Sequence, residues 1–538
     1  MKRGQKRARG KRPRSYHAQL ELDRLQNLQA ALVATLWERG DLRYKLKPCQ
    51  LDMLTAIEAS GRFKYLIKCA RRLGKTYLLC CIAIMACLGK PGTQVRFAAP
   101  TKLALRKLIK PIMRKIMLDC PDHLRPKYVK EDNTYVFPNP NAPPGAKDKF
   151  EGGSEIHLAG VNNGNADDLR GTATDLFIID EAGTVDDLHY LVHDVALPQL
   201  LDEDLQIVKG RRLLLASSPP RTPAHEFTAM AKQAELEGNY SHYNIFAGGY
   251  PPEVLRMFLK EDGVSDEQID RFMAGDYENV SSTIKREYLA LDVVDTESAL
   301  VPEWRGEFVV ADIVRDEFFP FYFKYEALDI GVRHFSVCLF GHYDFRAARL
   351  YIHDEVVMNG PQMTTALLAT AIKATEKAVF GVPGKETEVP PVIFKLHKRI
   401  SDKDLLLVQD MRADHALPFS PTDKGELEQM INDVRIWVTA KKVWVHERCK
   451  HLIGCLSYGV WNKKRTDFDE TLQYGHFDGL AALMYLIRNI KVDATVNPIP
   501  SDYGKPAESH WFNPDKKRLD RKEKLRRAFT QGRPRRVR

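Results

Sequence analysis

A chain of 538 residues is too long for one ordinary hydrophobic core, so two or more domains are expected. Its 44% hydrophobic content is that of a globular protein, and no uninterrupted apolar run reaches membrane-spanning length; Tyr77–Leu88 is too short. Nine cysteines without a CxxC pair suit a reducing cytosol rather than a disulfide framework.

The net charge of +10 is unevenly placed. Lys2, Arg3, Lys6, Arg7, Arg9, Lys11, Arg12 and Arg14 crowd the start of a 1–47 segment, and Lys516–Arg538 makes the 491–538 tail basic. No apolar stretch closely follows the first cluster, which excludes a secretory signal. Such arms either contact polyanions or remain solvated extensions. Between the arm and the first domain, Leu20, Leu22, Leu25, Leu28, Leu32 and Leu36 recur at helical spacing and predict a helix or helix pair over Gln19–Arg39.

A first α/β domain is expected over 48–295. Pro48–Leu54 brings Gln50, whose amide carries donor and acceptor together and can read an adenine edge. Tyr65-Leu66-Ile67 predicts a short buried strand, 70–74 a turn, and Lys75–Leu88 a helix buried on most sides. The turn carries Arg71-Arg72-Leu73-Gly74-Lys75-Thr76, whose Gly-Lys-Thr ending is the phosphate-gripping part of a P-loop, although Cys69 stands where the first glycine usually is. There Lys75 would reach the β/γ-phosphate oxygens and the Thr76 hydroxyl would ligate Mg²⁺. Val95–Ala99 is another strand, and the basic helix after it (Lys102, Arg106, Lys107, Lys110) faces either DNA or solvent. Leu176–Glu181 is an apolar strand delivering Asp180 and Glu181 at its C-terminal end, where parallel sheets bind ligands. Asp180 fits a Mg²⁺-organising acid and Glu181 the base that polarises the attacking water. Arg170 precedes that strand, and Leu213–Pro219 predicts a second buried strand ending in Ser217 and Ser218. Residues 225–295 are expected to form a helical lid and connector, with one polar helix over Glu253–Tyr277.

A second domain is expected over 296–490. Phe321–Gly331, Phe335–Phe340 and Leu350–Val357 predict three strands, the first ending in Asp329, and Met363–Phe380 predicts a helix. A loop-rich insertion over Gly381–Asp404, with a possible strand at Val392–Leu396, leads to Leu405–Asp410, expected to be a buried strand ending in Asp410. Helix Lys424–Val438, strand Lys442–Val445, helix Cys449–Trp461 and the apolar helix Gly479–Ile490, headed by Asp478, complete it. Asp329, Asp410 and Asp478 thus end separate elements in a β-β-β-α-β-α-β-α order, that of an RNase H-like nuclease. Hard divalent cations, Mg²⁺ or Mn²⁺, take such oxygen ligands. Asp354, Asp414 and Asp467 are auxiliary candidates. The spacing of His446, Cys449, His451 and Cys455 does not match the paired ligands of structural zinc sites.

In this order the motifs resemble those of the large terminase subunit of tailed bacteriophages, over about Pro48–Ile490. Gln50 is similar to that family's adenine-reading glutamine, 71–76 resembles its deviant Walker A, and Leu176–Glu181 its Walker B with a catalytic glutamate. Ser217-Ser218-Pro219 resembles the motif coupling hydrolysis to movement. Arg170 resembles an arginine used toward a neighbouring subunit, with Arg71 the competing finger, and Asp329, Asp410 and Asp478 match the nuclease acids. The resemblance implies ATP and Mg²⁺ at the first site and Mg²⁺ or Mn²⁺ at the second. It implies double-stranded DNA, a portal protein and a small terminase subunit as partners. A ring of about five subunits would work transiently on the procapsid portal, in the cytoplasm of an infected bacterium. A helicase or restriction-type translocase is the rival, but it needs a second motor domain with an arginine motif. The nearest match to that motif, Gln531-Gly532-Arg533, lies in the basic tail.

Overall fold

A computed structural model describes residues 16–143, 148–171, 173–202, 204–331, 335–360, 363–382, 384, 392–403, 405–422, 425–462 and 464–490. The basic arm before Tyr16 and the tail after Ile490, with 516–538 and 531–533, lie outside the described residues. The chain divides into two compact units, one taking residues up to Leu300 with Tyr458–His476, the other Val301–Ser457 with the chain from Phe477. Among the described residues no helix is long and apolar enough to cross a membrane.

The first unit is built on a sheet of eight strands: β1 (Lys64–Cys69), β2 (Gln94–Ala99), β3 (Lys127–Val129), β4 (Thr134–Val136), β5 (Glu155–Gly160), β6 (Leu176–Asp180), β7 (Arg212–Ser217) and β8 (Tyr240–Tyr243), in the order β3-β4-β5-β2-β6-β7-β1-β8. From β5 to β8 every pairing is parallel, and only β3, β4 and β5 pair antiparallel. Parallel strands covered by helices on both faces bury every side chain, which is why β6 and β7 are apolar runs without alternation. Ile178 and Leu214 pack with the Lys75–Gly89 helix, while Phe177, Ile179, Leu213 and Leu215 pack on the opposite face with Val192 and Phe227. β7 lies between β1 and β6, so the strand leading into the Gly-Lys-Thr corner and the strand carrying the acids are separated by one other, the ASCE-type order. The register sets Ile67 beside Ala216 and Asp180 beside the same Ala216, so the carboxyl ends of β1, β7 and β6 finish level.

The 225–295 region is not helical throughout. After the Glu226–Glu237 helix the chain runs as β8 and pairs along β1, from Leu66↔Tyr240 to Cys69↔Tyr243. Tyr-Ser-His-Tyr has no apolar run to mark it; it is a strand because β1 offers an open edge. The single helix expected over Glu253–Tyr277 is two, Pro252–Glu261 and Asp266–Met273, separated by a turn in which Gly263 has φ 77°. The first helix expected over Gln19–Arg39 is one element, Tyr16–Glu38.

The second unit's strands are β9 (Val309–Val310), β10 (Phe323–Asp329), β11 (Phe335–Asp344), β12 (Arg349–Asn359), β13 (Leu396–Ser401), β14 (Ser420–Pro421) and β15 (Val443–His446), ordered β14-β13-β10-β11-β12-β15-β9. β10, β11 and β12 form an antiparallel meander, and β13 adds parallel to β10 on its other edge. That is the RNase H-like arrangement, but its fourth strand is not the expected one. Leu405–Asp410 lies in a helix, Leu405–Ala413, and the strand is Leu396–Ser401. A short apolar run does not distinguish strand from buried helix. The true strand was hidden by its charges, which find hydrogen-bond partners distant in the chain. Arg399 donates to the buried Glu326 of β10 at 2.7 Å and to Glu376 of the Thr365–Phe380 helix, while Lys398 donates to Asn489.

Burial, then the charge of Glu376, pushes the Glu326 carboxyl well above its usual range, and Arg399 opposes that shift. Replacing Arg399 by Met removes the shared counter-charge of two acids, one of them fully buried. Urea titration of the Arg399→Met chain is expected to show a loss of about 3 kcal/mol from the second unit.

Candidate functional site

The Gly-Lys-Thr corner is shaped by backbone constraints on either side. As β1 ends, Ala70 N–H donates to Tyr243 O at 2.8 Å and Arg71 N–H to Glu287 O at 2.9 Å. Arg72 (φ 68°) and Gly74 (φ 82°) are then both left-handed, turning the chain into the Lys75–Gly89 helix. Glycine is required at 74: a Cβ there would lie 2.4 Å from Gln50 Nε2. Gln50, on the Pro48–Ser60 helix, is buried. Its Nε2 donates to Gly74 O at 2.9 Å and to Leu73 O at 3.4 Å, while its Oε1 accepts from Lys47 N at 2.8 Å. Both ends of the amide are thus engaged by protein, and it works here as a staple on the loop.

Across the strand ends, Lys75 Nζ donates to Glu181 Oε1 at 2.6 Å and lies 3.4 Å from Ser218 Oγ. Thr76 Oγ1 donates to Asp180 Oδ2 at 2.7 Å. Burial alone would lower the Lys75 pKa, yet the charge of Glu181, with that of Asp180 and the hydrogen bond to Glu181, holds it above the ordinary lysine value. Burial first, and the Glu181 charge second, push Asp180 up to about 6, against the pull of Lys75 and the Thr76 hydroxyl. Glu181 itself has φ 53°, a left-handed backbone that ends β6. Ser217 Oγ accepts from Gly183 N at 2.9 Å, tying the end of β7 to the turn that follows Glu181.

In the second unit Asp329 ends β10, and Asp402, the residue after β13, donates its N–H to Leu328 O at 3.3 Å. Asp478 opens the Asp478–Asn489 helix and accepts from Phe335 N at 3.1 Å. Burial, then the charges of Asp329 and Asp402, push the Tyr485 hydroxyl far above a free tyrosine. The register of β13 on β10, with Ser401 beside Leu328, sets Asp402 next to Asp329, and Asp478 approaches through the start of β11. Asp410 stands apart, on its helix, where hydrogen bonds with Thr365 and Asp414 hold its carboxyl below the usual range. Asp402, not Asp410, is the acid that the strand order sets beside Asp329. Its signal, an acid directly after a strand, was unreadable while that strand went unrecognised.

Of the auxiliary acids, Asp354 pairs with Arg448 at 3.4 Å and Asp467 caps Phe468 N at 2.8 Å. No three His, Cys, Asp or Glu side chains among the described residues form a ready cage for a metal ion. The Asp329, Asp402 and Asp478 set is nonetheless all carboxylate oxygen, the donor chemistry that Mg²⁺ and Mn²⁺ take and zinc sites built on thiolates do not. Burial pushes the Cys449 and Cys455 thiols up, against any role as thiolate ligands.

Residues 66–192 match the family model described as "Terminase large subunit, T4likevirus-type, N-terminal". That segment is similar to the N-terminal domains of terminase large subunits. Among solved structures, the large terminase of a thermophilic bacteriophage is 16% identical, with 83% of this chain and 99% of that chain covered and a TM-score of 0.36. The Thermus phage P74-26 large terminase ATPase domain is 18% identical over 48% of this chain and 97% of that one, TM-score 0.34. The nuclease domain of the bacteriophage SPP1 large terminase, solved with bound Mn, is 15% identical over 34% and 94%, TM-score 0.25. A comparison with curated proteins returned no match.

The matched segment contains Arg71, Arg72, Gly74, Lys75, Thr76, Arg170, Asp180 and Glu181; Gln50, Ser217, Ser218 and the second unit's acids lie outside it. Its arginines face differently. Arg72 is latched to Glu261 at 3.0 Å and Asp262 at 2.9 Å, and its carbonyl accepts from Tyr250 Oη at 2.6 Å. Arg71, its side chain about half exposed, pairs with Glu287 at 3.2 Å. Arg170 is exposed and bound to Asp167 and Tyr190 Oη, each at 2.7 Å. Gly74→Ala adds a side chain against the Gln50 staple and forces a left-handed alanine, at about 1–2 kcal/mol. Titration with a fluorescent ATP analogue is expected to show affinity reduced at least roughly tenfold, since the loop amides that face the phosphates would be re-aimed.

Proposed function

We propose that this chain is a viral DNA-packaging motor subunit that hydrolyses ATP to move double-stranded DNA and cuts it with a metal-dependent nuclease. The observation that carries the reading is one polypeptide with two chemistries. The Lys75–Glu181 and Thr76–Asp180 pairs lie at level strand ends of a P-loop sheet, and Asp329 and Asp402 lie at adjacent strand ends of an RNase H-like sheet. At the first site Lys75 neutralises phosphate oxygens, Thr76 and Asp180 would hold Mg²⁺, and Glu181, freed from Lys75, takes a proton from the attacking water. Gln50 would exchange its bonds to the loop for an adenine edge, and Ser217 and Ser218 would transmit the change along β7. Arg71 in the same chain, or an exposed Arg170 from a neighbouring copy, would stabilise the charge that develops on the transferred phosphoryl.

At the second site Asp329, Asp402 and Asp478 would hold the divalent ions, which supply a hydroxide nucleophile and a counter-charge for the leaving oxygen. The choice of cofactors follows from these donor groups, and it matches what solved large terminases carry: ADP and ATP-γ-S in that of the thermophilic bacteriophage, Mn in the SPP1 nuclease domain. In this reading a ring of such chains sits on a portal in the infected cell, a small terminase subunit brings the DNA, and grip on phosphates is sequence-blind and weakens with salt.

Lys75→Ala or Glu181→Gln is expected to lower ATP turnover by about 100-fold or more. Mn²⁺-dependent plasmid nicking by the same full-length variants should be retained. Asp329→Asn or Asp402→Asn is expected to do the reverse, while Asp410→Asn keeps both activities. Loss of both activities in any one of the first four variants, with its fold intact by circular dichroism, would contradict the division of labour.

A further inference from the structure

At the end of the first sheet opposite the Gly-Lys-Thr corner, the structure has a cleft of about 550 Å³. It opens where the chain enters three neighbouring strands: Lys90 and Thr93 precede β2, Asp175 precedes β6, and residues 208–211 lead into β7. A volume of this size holds a small ligand or a few side chains. One wall is the far end of the Lys75–Gly89 helix, where Ile82, Met85 and Ala86 stand at i, i+3 and i+4 and so share a face. These three pack only partly into the core. Leu54 and Ile57 of the Pro48–Ser60 helix, with Leu176 and Leu214 of the sheet, close the floor. The turn that leads to Val208 exposes two more aliphatic side chains, Leu205 at 75% and Ile207 at 52%.

Charge in the cleft is one-sided. Its two carboxylates are already matched, Glu58 by Arg43 at 2.8 Å and Asp175 by Lys90 at 3.0 Å. Asp175 also accepts from Gln94 N at 3.0 Å. The run Lys209-Gly210-Arg211-Arg212 adds three cations, and among the described residues none of them has a carboxylate partner. Arg211 donates from Nη1 to Leu201 O at 2.9 Å, a neutral acceptor that leaves its charge uncompensated. An aliphatic wall beside unmatched cations suits a ligand that is both acidic and aliphatic. A nucleotide is acidic, yet the lining has no aromatic ring for a base to stack on. A DNA duplex is acidic, yet its polar backbone would leave the aliphatic wall wet. The chain's own arm and its Lys516–Arg538 tail are basic, the wrong sign for this surface.

We propose that the cleft docks an acidic segment of another protein, which seats aliphatic side chains on Ile82, Met85 and Ala86 and sets carboxylates against Lys209, Arg211 and Arg212. The buried aliphatic anchors supply affinity, and the ion pairs select the partner and steer its approach. The site is separate from the nucleotide corner, at the other end of a helix of 15 residues, about 22 Å long.

The test uses the full-length chain and a short fluorescein-labelled peptide of alternating glutamate and leucine pairs, read by fluorescence anisotropy. Lys209→Glu combined with Arg212→Glu, and separately Met85→Glu, are each expected to weaken binding by about tenfold or more. ATP turnover and thermal unfolding of these chains should match the parent. Arg212→Gln removes one charge with little change of shape, and it gives a weaker loss in the same direction if the reversals fail to fold. A peptide with serine for leucine, or with glutamine for glutamate, should also bind about tenfold less tightly. No binding to the parent, or equal binding by parent and variants, overturns the proposal. So does tighter binding of ADP or duplex DNA that the same substitutions weaken, because the cleft is then a nucleotide or polyanion site. Dissociation of parent oligomers by those substitutions overturns it as well, since the occupant is then a second copy of the chain.

Discussion

A buried ammonium must have a counter-charge, and the first unit is arranged so that Lys75 finds one only across the sheet. Its side chain is 10% exposed, at the head of a helix whose next residues are almost all apolar. Glu181 meets it because β7 sets β1 and β6 two strand positions apart with their ends level. Thr76 and Asp180 make a second bond over the same gap, from the residues adjacent to that pair on each segment. These pairs are stabilising only jointly: without Glu181 the lysine would be a desolvated charge, and without Lys75 the burial that already lifts Asp180 to about 6 would act on it with less opposition. The same geometry makes the pair exchangeable, since a phosphate offers Lys75 more negative charge than a single carboxylate. Glu181 thus occupies the position on Lys75 that an incoming anion would contest.

Around that pair the surrounding elements restrain the loop by separate means. Gln50 staples the carbonyls of Leu73 and Gly74, Tyr250 holds the carbonyl of Arg72, and Glu261, Asp262 and Glu287 hold its arginines. Most of these partners are exchangeable polar groups rather than packed apolar ones. The corner is thus held by directional bonds, while Lys75, Thr76 and Asp180 themselves are buried.

The second unit solves a comparable problem with charge inside a sheet. Lys398 and Arg399 lie in β13, a strand next to the most buried strand of its sheet, and each is matched by a partner distant in sequence. That matching is what places Asp402: with β13 aligned on β10, Ser401 lies beside Leu328 and the following aspartate falls next to Asp329. Asp478 arrives from a third direction, fixed through the N–H of Phe335.

Where the residues that meet are carried as adjacent pairs, the sequence alone placed them at their strand and helix ends. Lys75-Thr76, Asp180-Glu181 and the apolar strands that carry them are local signals, because a strand buried on both faces has to be apolar and a left-handed turn packed on Gln50 favours glycine at Gly74. Asp329 and Asp478 were legible for the same reason, each at the edge of a strongly apolar element. Tertiary structure decided what depended on partners distant in the chain. Leu405–Asp410 was apolar enough for a strand, yet it became a helix because β10 had already taken Leu396–Ser401 on that edge. A polar tetrapeptide became β8 only because β1 had an unpaired side. Gln50 was read as an amide able to meet an adenine edge, yet its Nε2 is taken by the carbonyls of Leu73 and Gly74 and its Oε1 by the N–H of Lys47. Periodicity reports which residues avoid water; it carries no information on which charge will find a partner seventy residues away, and that pairing selected Asp402 over Asp410.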